Sequence, residues 1–483
     1  SCSRREPARC RPPTSSAGTA HGWFAVPEAR GGIRPRRTGA WRGETVRGTG
    51  ADPARGANPR AQPPMTPRQV AFHVVRRVTD GAYADRAFRA EADRARLAHG
   101  ERAFAQQLAY GTIQRRLTLD HVIAQLSDRS LAKLDPPLLD ALRLGVYQLL
   151  FMDSVPDHAA VAETVELAKA AKGAGYKLAN AVLRRAAREA RAIYNAIGDG
   201  DPASAALRHS HPQWLVELWW GALGRDDALA LLEADNRPAE DAVRVNTLVA
   251  DPAEIARQIP KSHGDPALPE ALVLDAPFDI DGSPLFANGA ITPQSRASIL
   301  VARTLDPQPG DHVLDMCAAP GTKTTHAAAL MSGKGQITAI EANPARAREL
   351  RANCARLHAT SVDAIVEDAR AVSGMFDRVM LDAPCSNLGT LARRPDARWR
   401  KTPEQIDELA QLQSELLDAA ARAARPGGTL VYAVCTISPR EGPLQLEAFR
   451  ERHPDFTETS RRQTLPHRDG TDGFFIARLE RQR

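Results

Sequence analysis

The chain has 483 residues, 43% of them apolar and 25% charged, with a formal net charge of +6. That length exceeds one ordinary core and predicts two to four domains of globular composition. The longest apolar stretches fall short of 18 residues, which excludes a membrane-spanning helix and predicts a protein with no membrane partner.

The positive charge is unevenly placed. Residues 1–64 contain 12 Arg, no Lys and 4 acidic residues, a local balance of +8, so residues 65–483 carry a net −2. Global charge is therefore no argument for nucleic acid, and any such surface must be a local patch. Residues 1–64 are rich in Arg, Pro and Gly and show no helical or strand period. They read either as a disordered basic arm or as upstream sequence foreign to the natural protein, with Met65 the preferred start.

From 65 to 190 the pattern predicts an all-helical domain. Apolar residues recur at three and four in Val70, Phe72, Val75 and Val78, and again through Phe104, Leu108, Ile113 and Leu117. Leu138–Phe151 is apolar nearly all round and predicts the central buried helix of a bundle. Pro156-Asp157 opens the next helix, with Asp157 as its cap. Tyr176–Arg185 pairs an apolar face with a basic end. Residues 191–290 read as a linker around Asn195–Ser204, a short helical region from His211 to Trp220, and a small α+β subdomain from Ala242 to Ala290.

Between 291 and 483 strands and helices alternate. Strands are predicted at His312–Asp315, Gln336–Glu341, Ser361–Val366, Phe376–Asp382 and Thr429–Val434, with helices at Pro344–His358 and Pro403–Ala424. That order predicts an α/β, Rossmann-like, mostly parallel doubly wound sheet, whose C-terminal edge holds ligands.

The six cysteines, Cys2, Cys10, Cys317, Cys354, Cys385 and Cys435, are scattered without a Cys-x-x-Cys pair. This predicts no structural metal and a reduced, cytoplasmic setting. Cys354 shares a helical face with Leu350 and Leu357 and reads as a small buried hydrophobe. Strand one runs into Asp315-Met-Cys-Ala-Ala-Pro-Gly-Thr-Lys323, a small-residue loop followed by a helix N-terminus. The loop lacks the glycine spacing of either a dinucleotide fingerprint or a triphosphate loop. Strand two ends at Glu341, suited to a ribose, and strand three leads to Asp368, suited to an adenine amino group. Each acid alone is as well read as a cap or a solvated turn. Together, at successive strand ends, they favour S-adenosylmethionine over a dinucleotide. Cys317 lines this loop.

Cys385 and Cys435 each close a buried strand at the same sheet edge, which suggests thiolate catalysis beside the cofactor. A pyrimidine C5 is a poor nucleophile until a thiolate adds at C6, after which C5 is enamine-like and a base must later remove its proton. Asp382, three residues before Cys385, is placed to hold the ring.

At this point the motifs Asp315–Lys323, Asp382-Ala-Pro-Cys-Ser386 with Arg393-Arg-Pro-Asp396 and Trp399, Val434-Cys-Thr436 and Asp472-Gly-Phe-Phe-Ile-Ala477 resemble those of the Sun-type, RsmB-like family of RNA cytosine-C5 methyltransferases. Residues 66–190 resemble the NusB-type RNA-binding domain that precedes the catalytic part in that branch. The resemblance implies Cys435 as the nucleophile, with Cys385 assisting product release. It also implies that Cys317, Ala318, Ala319, Pro320, Gly321, Thr322, Lys323, Glu341, Asp368 and Asp382 surround S-adenosylmethionine, and that Lys323 helps hold the ring. Thr322 stands where a second glycine is usual, Glu341 where an aspartate is, and Glu367 where a glycine precedes the third acid. The expected activity is cytosine-C5 methylation of small-subunit (16S) rRNA by a monomer through a cysteine–C6 adduct. A methyltransferase of the same family acting on tRNA or other RNA is the alternative, followed by a non-catalytic RNA-binding assembly factor. RNA contacts are expected from the helical domain and from Arg393, Arg394, Arg398 and Arg400.

Overall fold

A computed structural model describes residues 65–170 and 175–483; the expected basic arm, 1–64, lies outside the described residues. Thr66 opens the first helix, Pro67–Thr79: its hydroxyl accepts from the Gln69 amide while the Gln69 side chain accepts from the Thr66 amide, with Pro67 at the first helical position. Helices Ala84–Ala95, His99–Gln114, Arg116–Leu126, Pro136–Phe151, Asp157–Ala170 and Tyr176–Asn195 complete the bundle. Pro136–Phe151 is the central helix: it packs against the first, third, fourth, sixth and seventh, burying Leu138, Ala141, Leu142, Leu144, Val146 and Leu150. Asp157 is the first helical residue rather than the residue before it, so it supports the N-terminus as a first-turn acid.

The predicted linker is shorter than expected, because Pro202–His209 already forms a helix capped by Asp201. Gln213–Leu223 and Arg225–Ala234 follow. The subdomain is a four-stranded antiparallel sheet of β1 (Ala242–Val245), β2 (Ser262–Asp265), β3 (Leu268–Leu274) and β4 (Ile291–Pro293), in the order β2-β3-β1-β4. Its buried face is built from Val243, Val245, Leu272 and Ile291.

The third region is a seven-stranded sheet of β5 (His312–Asp315), β6 (Gln336–Ile340), β7 (Val362–Ile365), β8 (Phe376–Asp382), β9 (Ala424–Val434), β10 (Phe456–Gln463) and β11 (Phe475–Arg481). The order is β10-β11-β9-β8-β5-β6-β7, parallel from β9 to β7, with β11 antiparallel to both β9 and β10. The chain reverses between β5 and β6 on one side and β8 on the other, so β5 stands at the switch point where a ligand crevice opens. Apolar layers cover both faces: one centres on Leu417, Leu430, Tyr432 and Phe449, the other on Val301, Val313, Ala328 and Val431. The two antiparallel strands that close the sheet add to the five predicted strands.

Candidate active site

The loop after β5 turns at Gly321, whose φ of +102° is a left-handed conformation open to glycine; a Cβ there would also lie 2.8 Å from Leu350 Cδ1. The amide of Ala318 donates to Ile340 O at 2.9 Å and that of Met316 to Met380 O at 3.0 Å, so the loop is held by both neighbouring strands. Asp315 is buried at its base. Its Oδ2 accepts from Thr324 Oγ1 at 2.6 Å, while Oδ1 has no hydrogen-bond partner among the described residues. Burial pushes its pKa up to about 7, only partly offset by the Thr324 hydrogen bond.

Beyond β6 the Glu341 carboxylate accepts from the Asn343 amide at 2.9 Å and pairs with Arg346 at 3.3 Å; Arg346 also donates to Ala319 O at 2.7 Å. Glu341 thus lies beside the small-residue loop. Burial, together with the charges of Asp315, Asp382 and Glu341, pushes the Cys317 thiol well above its usual range, so Cys317 lines the crevice as a neutral group. Asp368 is engaged elsewhere, capping a short 3-10 turn through the Arg370 amide at 2.9 Å and pairing with the Arg370 guanidinium at 2.6 Å.

Lys323, in the first turn of the helix Thr322–Leu330, reaches back to Asp382 at the end of β8, Nζ to Oδ2 2.7 Å, and lies 5.3 Å from the centre of the Phe474 ring. Burial works against its charge, but the adjacent Asp382 carboxylate outweighs it and the lysine pKa is raised, so it stays an ammonium.

The two sulfurs meet at 3.3 Å. Cys385 is buried at 7% exposure, whereas Cys435 is partly exposed. Contact with Cys435, then burial, pushes the Cys385 thiol well above the ordinary range. Below the pair lies a buried carboxylate absent from the sequence reading. Glu441 Oε1 accepts from the Ser386 amide at 2.7 Å and from Gln413 Nε2 at 3.2 Å, and Oε2 accepts from the hydroxyls of Ser386 and Thr436. Ser386 and Thr436 each follow one of the cysteines, and their hydroxyls are 2.8 Å apart. Glu441 therefore ties the two cysteine loops to one point. Tyr432 completes the arrangement by donating to Glu441 O at 2.6 Å. A third loop locks on through glycines: the Gly389 amide donates to Cys435 O at 3.1 Å and the Gly473 amide to Gly389 O at 2.7 Å. The backbones cross so closely that a Cβ at Gly389 would stand 1.8 Å from Gly473 O.

One expected group must be corrected. Arg398 is fully buried: its guanidinium donates to Ser210 O at 3.2 Å, Asn236 Oδ1 at 2.9 Å and Asp235 O at 2.9 Å. It is a structural tie and has no surface to offer RNA. Arg393 pairs with Asp472 at 3.0 Å, and Arg400 with Asp396 at 2.6 Å while lying over the Tyr83 ring. Arg394 alone of the four is exposed.

The crevice fits S-adenosylmethionine on its own terms. Small residues at 318–321 leave room for backbone approach, a buried carboxylate stands at the end of β6, and Asp315 keeps an oxygen unpartnered among the described residues beneath the loop. No phosphate-binding glycine spacing is present. An α/β sheet with this switch point, a small-residue loop and an acid at the next strand end defines an S-adenosylmethionine-dependent methyltransferase. The sequence comparisons sharpen this: the model of the 16S rRNA methyltransferase RsmB/F family matches residues 302–480, that of the NusB family residues 65–188, and that of the ferredoxin-like domain of RsmF/B-like methyltransferases residues 211–281. A probable ribosomal RNA small subunit methyltransferase B of Bacillus subtilis is 35% identical over 414 residues, covering 80% of this chain and 92% of its own. Its counterpart in Synechocystis is 36% identical over 446 residues, covering 86% and 100%. The crystal structure of PH0851 superposes with a TM-score of 0.72 at 28% identity, over 86% of this chain and 99% of that one. The chain belongs to the RsmB/F family of 16S rRNA methyltransferases.

Proposed function

We propose that this protein methylates C5 of a cytosine in small-subunit ribosomal RNA through a covalent adduct with Cys435. Family membership supports the rRNA substrate. The observation that carries the chemistry is the pair of thiols at 3.3 Å, one accessible and one buried, beside the Lys323–Asp382 pair.

The Cys435 thiolate adds to C6 of the base, forming an S–C6 bond and moving the C5=C6 electron pair toward C5. Residues 317–323, Glu341, Asp368 and Asp382 would hold S-adenosylmethionine, which would supply an electrophilic methyl group to C5, its sulfonium C–S bond breaking to leave a neutral thioether. Asp382 and Lys323 hold the polar edge of the ring in place at the same sheet edge. Once C5 is methylated, a base removes the C5 proton, the S–C6 bond breaks, the double bond re-forms and Cys435 leaves as thiolate. Cys385, at the attacking sulfur and resting protonated, serves this elimination half. Asp368 takes part only after its carboxylate leaves Arg370. The helical domain, 65–190, and the subdomain within 191–290 present the RNA to the domain 291–483.

Substitution tests the roles. Cys435→Ala is expected to abolish methyl transfer and any denaturation-resistant protein–RNA complex, whereas Cys385→Ala is expected to accumulate that complex. Full methylation by Cys435→Ala rules the mechanism out. Bisulfite mapping of the product RNA then reports the methylated cytosine directly.

A further inference from the structure

Asn387 stands two residues beyond Cys385 with a φ of +61°. Its Nδ2 donates to the Cys385 carbonyl at 2.9 Å. Its Oδ1 accepts from Cys435 Sγ at 3.1 Å and from Arg394 Nη1 at 3.3 Å. These partners fix which way round the carboxamide lies. Turned over, its oxygen would face the Cys385 carbonyl and its amino group the guanidinium, both repulsive. Gly, Asn and Asp are the residues that take a left-handed backbone readily. Of these, Asn alone donates on one side and accepts on the other.

We propose that Asn387 is a positioning residue for the nucleophile, holding Cys435 as a thiol, with its S–H aimed at the Asn387 side-chain oxygen, until the substrate base arrives. The proposal rests on the reading of Cys435 as the attacking group. A carbonyl oxygen that accepts from S–H stabilises the thiol and presents its lone pairs to the thiolate, so it opposes ionisation. Because the Cys435 proton is engaged by Asn387, the hydrogen between the two sulfurs belongs to Cys385. Ionised Cys435 would therefore keep the Cys385 donor and lose the Asn387 contact.

The other groups facing this sulfur act in defined directions. The Lys323 ammonium, from the helix after β5, attracts the thiolate. Asp382, at the end of β8, is largely neutralised by Lys323 at 2.7 Å. Glu441 lies behind Cys385, tied up by Ser386, Thr436 and Gln413. Arg394 reaches the thiol only through Asn387 Oδ1 and, being exposed, links the nucleophile's partner to the surface. Lys323 thus favours ionisation and Asn387 restrains it.

The test is alkylation of the full chain by iodoacetamide across a pH series, with the Cys435 peptide quantified by mass spectrometry. Asn387→Gly keeps the backbone conformation and removes the acceptor, so the midpoint for Cys435 is expected to fall by about half a unit or more. Asn387→Asp keeps the conformation and adds a negative charge, so the midpoint is expected to rise. A packing role would not move the two variants in opposite directions. Unchanged midpoints in Asn387→Gly, or shifts of the same sign in both, overturn the proposal. The readout is independent of methylation: opposite shifts together with an active Cys435→Ala enzyme would refute the reaction and leave the thiol restraint standing.

Discussion

Asp315 is the buried acid whose protonation bears on the stability of the cofactor loop. Burial raises its pKa to about 7, against 3.8 for an ordinary aspartate, so between those values the folded chain holds a proton that the unfolded chain has released. Its contribution to stability is complete below pH 3.8 and is lost as pH rises through about 7. Asp315→Asn removes the ionisable group while keeping its shape. In chemical denaturation without cofactor, the variant is expected to unfold near the wild-type midpoint at about pH 4, and to be increasingly the more stable of the two as pH rises to about 7. Asp235, also raised to about 7 by burial, contributes the same slope to both proteins and cancels from the comparison. An equal difference at both pH values would mean that Asp315 is ionised in the fold throughout.

At the scale of elements, the stretch from Cys385 to Arg400 joins the chemistry to the helical bundle. One end carries Cys385 and Asn387. At the other, Trp399 Nε1 donates to Ile113 O at 2.8 Å, Arg116 stacks on the Trp399 ring at 4.6 Å, and both line, with Arg143 and Arg400, an open pocket of about 130 Å³. Arg398, next to Trp399, fastens the same end to Ser210, Asp235 and Asn236. Arg398→Ala strands these buried acceptors and should cost about 3 kcal/mol or more in denaturant unfolding. Arg394→Ala should leave stability within about 0.5 kcal/mol and weaken RNA binding instead. Equal stability losses in the two variants would contradict this division. The contrast also marks where the sequence stops being legible. Strands β5, β6, β8 and most of β9 are apolar runs bounded by turns, and their ends bring Glu341, Asp382, Cys385 and Cys435 to one edge, so the crevice could be read from strand order. β10 is a mainly polar strand, with Glu458, Arg461 and Arg462, and has no such run. Four arginines within eight residues look alike in the sequence; which one enters a domain seam depends on carbonyls from residues 210–236, far away in the chain. Glu441 escaped notice for the same reason. A lone acid six residues after Cys435 becomes meaningful only when Ser386, brought in from β8, donates to it.

For the whole molecule, the near-neutral balance of residues 65–483 means that long-range attraction cannot bring RNA to the protein, so affinity must come from a local surface. The helix Tyr176–Asn195 supplies one. Val182, Leu183, Ala186 and Ala190 are buried in the bundle, while Lys177, Arg184, Arg188 and Arg191, spaced by seven, four and three, line up on its exposed face. Arg185, half-buried, is bound to Leu126 O at 2.8 Å and to Glu189 at 3.3 Å, and is not part of this stripe. If Arg184 and Arg188 each neutralise one phosphate, replacing either with Gln removes about one counterion's release. The slope of log affinity against log salt should then become shallower by about 0.7 to 0.9 per substitution. The loss of affinity should accordingly be largest at low salt and shrink as salt rises, with stability unaffected because neither side chain is packed. Fluorescence anisotropy with a labelled small-subunit rRNA fragment over a salt series measures this. Variant lines parallel to wild type would show that this helix face makes no ionic contact with RNA. In that case the bundle's role would be confined to holding Trp399 and Arg400, and through them the loop that carries Asn387 and Cys385.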